Sequence, residues 1–163
     1  IAAAACDQDD HHSTFSCVGP ATGPNGQVLA NKPEIMAWGE NVVMAAASQA
    51  KVAWDKVDDS YVVADGTSFA CPFVAGCAAL YLDVVGNLQD FEEDIAATAT
   101  VIPEYTKEQQ GAGRIQIHGA ICKALGYDII PIKRPDALDP VPPVIPTGCL
   151  LGVLGLIFHR IAH

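Results

Sequence analysis

The sequence predicts an α/β domain, in which short β-strands are combined with α-helices. Half of the 163 residues are apolar, which is enough to build a core and excludes wholesale disorder. Several short apolar runs bounded by turn residues precede position 65, and such runs are typical of buried strands. They are followed by a continuous apolar stretch at 69–82, which is too long for an ordinary strand and predicts a helix.

Four segments are predicted as strands because each is short, apolar and bounded by turn residues: 1–5, 34–37, 42–47 and 60–64. The first is apolar throughout and is followed at once by polar residues, which favours a strand that is buried on both faces. The last, S-Y-V-V-A, is enriched in β-branched residues. The segments 7–26 and 48–59 are predicted as polar loops.

The helical part of the chain follows these strands. The stretch 69–82 is apolar on all sides, which predicts a helix buried within the domain. Residues 87–98 are predicted as a surface helix whose Phe91 and Ile95 point inward, while its acidic residues, Glu92, Glu93 and Asp94, are solvated. A Gly-Ala-Gly sequence then opens a last short unit at 114–125.

The composition changes near the C-terminus. Residues 127–147 are predicted as a stiff linker, since six prolines fall between 131 and 146. Residues 148–163 form an apolar C-terminal segment. As a helix this segment would span roughly 22 Å, which is less than the hydrocarbon core of a bilayer. Membrane contact, docking on a partner and an ill-defined end all stay open for it.

The charge and the cysteines exclude two classes of protein. Nine Lys and Arg against nineteen Asp and Glu give a net charge of −10, which argues against a nucleic-acid surface. Six cysteines are spaced irregularly without a C-x-x-C motif, so a zinc ribbon has little support. Cys71 and Cys77 would lie roughly 9 Å apart along one helix and on different faces. They cannot pair with each other and are predicted as small, buried hydrophobic residues.

A candidate nucleophile lies where the last strand meets the long helix. In the sequence Gly66-Thr67-Ser68, the serine would sit on a sharp turn with its hydroxyl outward and its N–H at a helix N-terminus. That terminus carries unpaired donors and a partial positive charge, which would stabilise a developing oxyanion. In the alternative, Thr67 or Ser68 only caps the helix. Pro72, placed where its missing N–H costs a helical bond, favours the functional interpretation.

Residues 66–76, G-T-S-F-A-C-P-F-V-A-G, resemble the nucleophile motif of the subtilisin-like serine proteases (subtilases), G-T-S-M-A-x-P-H-V-A-G. Phe69 and Phe73 replace the usual Met and His of that motif. Residues 1–20 are similar to the family's V-x-A-V-G-A-x-D…F-S-x-x-G-P stretch. Residues 31–39 are similar to K-P-D-I-x-A-P-G, and 111–115 to G-x-G-x-I-N. The resemblance covers 1–126.

The resemblance implies a subtilisin-like fold, with a mostly parallel sheet and helices on both of its faces, of which 1–126 is the C-terminal portion. It implies a serine-type endopeptidase that hydrolyses polypeptide substrates by acyl transfer through Ser68. The family's catalytic Asp and His and its oxyanion Asn are expected upstream of Ile1. Catalysis requires no cofactor, whereas structural calcium and a secreted or vacuolar/lysosomal-type location follow from resemblance alone.

Other residues that could serve the serine have no supporting motif. His11 and His12, beside Asp9 and Asp10, are predicted to lie in a solvated turn. His118, His159 and His163 match no motif for a base, and Asp65 is interpreted as a turn residue. Gly111-x-Gly113 is too short a match for a dinucleotide loop.

Two alternatives to an active protease remain. One is a catalytically inactive fragment or pseudoenzyme, because a serine without a base is a poor nucleophile. The other is a membrane- or partner-tethered binding module in which the C-terminal segment carries the function.

Overall fold

The structure, a computed structural model, describes residues 1–47 and 55–130. Its strands are β1 (Ala3–Cys6), β2 (Ala21–Thr22), β3 (Val28–Ala30), β4 (Ile35–Trp38), β5 (Val42–Ala45), β6 (Asp55–Lys56) and β7 (Tyr61–Ala64). Its helices are α1 (Thr67–Val85), α2 (Phe91–Thr98), α3 (Lys107–Gln110) and α4 (Ile117–Leu125). The part of the predicted linker beyond residue 130 and the segment 148–163, with His159 and His163, lie outside the described residues.

The centre of the fold is a parallel pair formed by β1 and β4, with Ala3 opposite Ile35 and Cys6 opposite Trp38. A third stretch of chain continues this sheet on the far side of β4. Met36 donates its N–H to the carbonyl of Gly113 and accepts a hydrogen bond from the N–H of Ile115. Parallel strands combined with helices confirm the predicted α/β class.

Both faces of this small sheet are covered, because side chains alternate along a strand. Ala5, Ile35 and Ala37 belong to the main core, together with buried residues of α1, α2 and α4. Ala4, Cys6 and Met36 face the opposite way and pack with Ile102. The prediction that the first strand is buried on both faces is therefore confirmed for Ala4, Ala5 and Cys6.

The strand that leads to the candidate nucleophile belongs to a second sheet. β7 lies between β5 and β6 and is antiparallel to both. The predicted segments 42–47 and 60–64 correspond to β5 and β7. The predicted loops were incomplete, since 7–26 contains β2 and 48–59 contains β6.

The prediction that the long helix is buried on all sides was wrong for the described residues. Four residues of α1 are buried: Ala70, Val74, Cys77 and Tyr81. They recur every three or four positions and face β1, β4 and α4. The rest of the helix surface is apolar as well, but most of it is exposed.

An ionic cluster around the buried Asp94 joins three helices, and it corrects the prediction for the acidic run in α2. Phe91 and Ile95 are buried as expected, but Asp94 is only 3% exposed. Tyr81 in α1 donates its hydroxyl hydrogen to Asp94 Oδ2 at 2.5 Å. Lys123 in α4 donates to Asp94 Oδ1. Asp94 is therefore a structural residue rather than a solvated one.

The Gly-Ala-Gly element has a packing role. A Cβ on Gly113 would lie 2.4 Å from the carbonyl oxygen of Thr100, and the φ of Gly113, 126°, is one that residues with a side chain rarely adopt.

We expect Gly113→Ala to lower the free energy of unfolding by about 2 kcal/mol, measured by urea denaturation. Gly76→Ala is the matched control, because Gly76 lies in α1 with open space around it. An equal effect of the two substitutions would contradict this packing role.

Candidate active site

Ser68 is the second residue of α1, and Gly66 is the residue that precedes the helix. The Ser68 side chain is exposed. No hydrogen bond joins its Oγ to any residue in the described part of the chain, and neither Thr67 nor Ser68 caps the helix with its side chain. The capping alternative is therefore wrong, and the hydroxyl is open to solvent.

The backbone around Ser68 offers hydrogen-bond donors. Phe69 donates its N–H to the carbonyl of Gly66 at 2.9 Å. The N–H groups of Thr67 and Ser68 precede the first intrahelical bond and have no acceptor among the described residues. The first turn carries no acidic side chain that would offset the positive end of the helix. An oxyanion formed on a carbonyl oxygen when Ser68 Oγ attacks that carbonyl group would thus meet an N–H donor and a favourable field.

Pro72 lies within α1, one turn after the serine. A residue at this position would normally donate its N–H to the carbonyl of Ser68, four residues earlier. Proline has no N–H, so that carbonyl is left without its helical partner. The first turn of α1 is consequently less constrained by helical bonds than an ordinary first turn.

Two glycines fix the first turn of α1 to the central sheet. Gly39 donates its N–H to Cys6 at the end of β1, and its carbonyl accepts the N–H of Gly66 at 2.7 Å. A Cβ on Gly39 would lie 2.8 Å from both Ala5 Cβ and the Gly66 carbonyl oxygen. Close backbone contact here places Ser68 near the carboxyl end of the parallel pair, and only glycine permits it. The sequence alone did not predict this role for Gly39, although Gly39 ends the 31–39 motif.

Asp65 acts as a turn residue, as predicted. Its Oδ1 accepts a hydrogen bond from the N–H of Asn41 at 2.6 Å. Asn41 has a positive φ of 56°. The bond therefore ties the start of β5 to the end of β7, immediately before Gly66.

Gly66 controls the position of the serine hydroxyl. A Cβ at Gly66 would lie 2.9 Å from Ser68 Oγ, which is too close for two such atoms. Because a serine hydroxyl can rotate away, we expect Gly66→Ala to displace Oγ and to slow the reaction of Ser68 with a fluorophosphonate probe about tenfold or more. The rate of labelling is measured from the fluorescence of the probe that becomes bound to the protein. Gly76→Ala is again the control, and an unchanged rate in Gly66→Ala would show that Oγ does not need this position.

Comparison with known proteins identifies the family. The sequence profile of the subtilase family matches residues 1–113. The chain belongs to the subtilase family. Ser68 and its flanking residues lie inside the matched region, as do Gly111 and Gly113.

Solved protease structures share the fold. The prenylagaramide maturation protease PagA is 27% identical, with a TM-score of 0.56, over 77% of this chain and 42% of that one. MycP1 from Mycobacterium smegmatis is 27% identical, with a TM-score of 0.54, over 86% and 33%. The self-cleaved protease domain of PatA is 25% identical, with a TM-score of 0.52, over 78% and 42%. The chain thus spans about two fifths of PagA and PatA and a third of MycP1.

Two departures from the subtilase motifs contact each other. Trp38 stands where the quoted motif has Pro, and Phe73 where it has His. Their ring centroids are 5.4 Å apart with the planes tilted by 56°, a favourable geometry for an aromatic pair. The pair joins the end of β4 to α1.

A pocket of about 270 Å³ lies beside the first residue of α1. It is lined by Thr67 together with residues 2–4, 16–21 and 32–33. Most of its lining residues are apolar, and Lys32 is the charged residue among them. Lys32 forms an ion pair with Glu34. Burial alone would raise the pKa of the Glu34 carboxyl, but the contacts of this group, chiefly the one with Lys32, outweigh burial and lower the pKa.

The described histidines of this subtilase chain do not contact Ser68. His11 is exposed and pairs with Asp7 at 2.9 Å, and this hydrogen bond raises the pKa of His11. His12 is half-buried against the ring of Tyr105, and burial lowers its pKa. His118 is exposed on α4, with Cys122 Sγ as its neighbour at 3.6 Å.

The solvated-turn prediction was thus right for two of its four residues and wrong for the others. Asp9 and His11 are exposed, whereas Asp10 and His12 are half-buried. Asp10 Oδ1 lies 2.5 Å from Arg114 Nε, which ties the turn to the 111–115 segment. The sequence around Asp9 and Asp10 did not predict this ion pair, because Arg114 lies far away in the sequence.

Asp7, Asp9 and His11 lie close enough together to be considered as ligands for the structural calcium that the family resemblance implies. Asp7, Asp9 and His11 have ligand atoms within 4.8 Å of one another. Both carboxylate oxygens of Asp7 are already used, since Oδ1 accepts the N–H groups of Asp9 and His11 and Oδ2 pairs with the His11 ring. Calcium also prefers oxygen over imidazole nitrogen. These residues do not fit a calcium site.

Cys71 and Cys77 were predicted as buried hydrophobic residues that do not pair with each other. Cys77 is buried, which confirms the prediction for that residue, and burial raises the pKa of its thiol. Cys71 is exposed on the outer side of α1, so the prediction of burial was wrong there. Neither forms a disulfide.

Proposed function

We propose that this chain carries the nucleophile of a serine-type endopeptidase and that Ser68 is that nucleophile. The observation that supports the proposal is the position of Ser68 at the start of α1. Its hydroxyl is exposed, and neither the hydroxyl nor the Ser68 N–H, at the positive end of a 19-residue helix, has a hydrogen-bond partner among residues 1–47 and 55–130. Membership of the subtilase family makes the substrate class polypeptides.

The proposed reaction is acyl transfer. Ser68 Oγ attacks the carbonyl carbon of the scissile peptide bond while its proton passes to a base. The carbonyl oxygen becomes an oxyanion that accepts a hydrogen bond from the Ser68 N–H. Collapse of this intermediate breaks the C–N bond, and the proton leaves with the amine. Water then hydrolyses the acyl-enzyme and regenerates Ser68.

The base is proposed to come from a part of the catalytic unit that the described residues do not include. His11, His12 and His118 make their contacts elsewhere, as given above. The chain spans about two fifths of PagA, so most of a subtilase of that length has no counterpart in it. By resemblance, the missing groups are an Asp, a His and an oxyanion Asn. A secreted or vacuolar/lysosomal-type location stays a prediction.

A labelling experiment tests the proposal. The protein as it occurs in its source cells is treated with a fluorophosphonate probe, and labelled protein is detected on a gel. We expect the wild type and Thr67→Ala to be labelled and Ser68→Ala to be unlabelled. Thr67→Ala is the matched control, because it removes the neighbouring exposed hydroxyl. Equal labelling of all three would assign the reaction to another residue, and no labelling of the wild type would favour the inactive alternative.

A further inference from the structure

His118 and Cys122 form a pair of potential metal ligands on the surface of α4, outside the site around Ser68. Four positions separate them, so their side chains lie on the same side of the helix. The His118 Nε2 atom lies 3.6 Å from Cys122 Sγ. Imidazole nitrogen and thiolate sulfur are the commonest zinc ligands in proteins. The proposed peptidase reaction does not use this pair.

The packing of α4 leaves this side of the helix free. Ala120 and Ile121 pack in the main core. Lys123 points toward α2, to which its ammonium group is bonded. At roughly 100° per residue, His118 and Cys122 lie on a third side of the helix, away from both contacts. His118 is exposed and Cys122 is half-buried, so an ion from solvent can reach both ligand atoms.

The separation of the two ligand atoms fits a tetrahedral zinc ion. Zinc binds sulfur at about 2.3 Å and histidine nitrogen at about 2.0–2.1 Å, with an angle of about 109° between two ligands. These values place the two ligand atoms about 3.6 Å apart. The distance between His118 Nε2 and Cys122 Sγ is the same, so an ion can bind both atoms without a change in the helix backbone.

The charges around the pair favour a cation. Cys122 lies near the C-terminus of α4, and this end of a helix carries a partial negative charge. Lys123 is the basic residue of the last turn, but its ammonium group is bonded to the Asp94 carboxylate on another side of the helix. The helix end therefore favours a bound cation, and the charge of the neighbouring lysine is balanced by Asp94.

The position in the helix argues against the other common use of a Cys–His pair, which is an activated thiol. A reactive thiolate is typically stabilised at a helix N-terminus or beside a cationic group. Cys122 lies near the opposite end of α4. A metal ion would supply the positive charge that a thiolate needs there.

We propose that His118 and Cys122 bind a zinc ion on the surface of α4. Cys122 binds as the thiolate and His118 binds through Nε2 as the neutral imidazole, so that binding releases the thiol proton to solvent. Among residues 1–47 and 55–130, no third candidate ligand forms a cluster with this pair. Water fills the two remaining positions, and the ion exchanges with solvent. This site does not depend on the assignment of Ser68 as the nucleophile.

Protection of Cys122 from alkylation tests the proposal at the residue itself. The protein from its source cells is treated with N-ethylmaleimide, with and without micromolar zinc chloride. The alkylation rate of each cysteine is measured by mass spectrometry of its peptide. We expect zinc to slow the alkylation of Cys122 about tenfold or more, because a metal-bound thiolate is a poorer nucleophile than a free one. Cys17 and Cys71 are internal controls whose rates should not change, since both are exposed and neither contacts a histidine in the described part of the chain.

A matched pair of histidine substitutions tests the second ligand. His118→Gln keeps a polar side chain at this exposed position but removes the ring nitrogen, so zinc should slow Cys122 alkylation less than about twofold. His11→Gln is the matched control, because His11 is also exposed but pairs with Asp7. In this control the protection of Cys122 should be complete. Each variant is compared with itself without zinc, which removes any direct effect of the imidazole on the thiol.

Three results would overturn the proposal. The first is an equal rate of Cys122 alkylation with and without zinc. The second is protection that persists in His118→Gln, which would assign the ion to other ligands. The third is equal slowing at Cys71, which would show that zinc binds the exposed thiols in general.

Cobalt(II) gives a second measurement. It replaces zinc in tetrahedral sites, and a thiolate bound to it produces a sulfur-to-cobalt absorption band in the near ultraviolet. We expect this band on titration of the wild type and of Cys71→Ser, and a loss of absorption equal to one thiolate ligand in Cys122→Ser. Equal spectra of the two variants would contradict a metal ion on Cys122.

Discussion

Replacing Ser68 with alanine is expected to lower kcat/KM for peptide hydrolysis by about 10⁴-fold or more. The substitution removes the atom that forms the covalent intermediate, and water attacking in its place gains little from the remaining groups. The fold should be unaffected, since the Ser68 side chain is exposed and makes no hydrogen bond with the described residues. The measurement is hydrolysis of a fluorogenic peptide by the protein from its source cells, with circular dichroism as a check on folding.

Ser16→Ala is a useful contrast for this prediction. Ser16 is buried, and its Oγ accepts a hydrogen bond from the N–H of Ala5 at 3.0 Å. Removing the Ser16 hydroxyl should lower the free energy of unfolding of the chain, whereas the folded fraction should keep its peptidase activity. Loss of activity in Ser16→Ala without unfolding, or retention of activity in Ser68→Ala, would contradict the proposed roles.

Replacing Asp94 with alanine is expected to lower the free energy of unfolding by about 2 kcal/mol. The carboxylate is nearly fully buried between α1, α2 and α4, and its loss leaves the Tyr81 hydroxyl without its acceptor and Lys123 without its main partner. Urea denaturation gives the measurement. Glu93→Ala is the matched control, because Glu93 is 80% exposed and lies 3.9 Å from the same lysine. Its effect should stay within about 0.5 kcal/mol.

The same cluster predicts how stability depends on pH. Burial alone would raise the pKa of Asp94, but the hydrogen bonds from Lys123 and Tyr81 outweigh it and lower the pKa below its ordinary value. A carboxyl group with a lowered pKa in the folded state stabilises the fold above its unfolded pKa of about 4. That contribution is lost as the pH falls through the folded pKa. The wild type should therefore lose more stability than Asp94→Asn between pH 5 and the acid limit, and parallel curves would contradict the assignment.

Much of the fold could be predicted from short sequence windows. The four predicted strands are present as β1, β4, β5 and β7, with bounds shifted by one or two residues. β2 and β3 were missed because each has only two or three residues among Gly, Pro and Asn, too few for a periodic pattern. α3, with four residues, was missed for the same reason.

Contacts between distant residues could not be predicted in this way. Asp94 belongs to an acidic run that favours a solvated face, and its partner Lys123 lies 29 residues further along the chain. Asp10 was interpreted as solvated although it pairs with Arg114. In both cases tertiary packing determines whether a carboxylate is buried. The sequence alone does not show which distant residues come into contact.

The candidate site was predictable to the extent that it is local. Ser68 follows from a strand, a glycine and a helix start that are contiguous in sequence. The contribution of Gly39 depends on its contact with Gly66, 27 positions later, and was not foreseen. The exposed face of α1 was not predicted either. A helix that is apolar on all sides predicts burial on all sides, and its sequence does not show which residues would cover each side.

The most direct test of the central claim is the identity of the residue that carries the fluorophosphonate adduct. The protein from source cells is labelled and digested, and the modified peptide is sequenced by tandem mass spectrometry. We expect the adduct on Ser68, in a peptide that spans Gly66 and Pro72. An adduct on any other residue, with Ser68 unmodified in the labelled molecules, would contradict the assignment of Ser68 as the nucleophile.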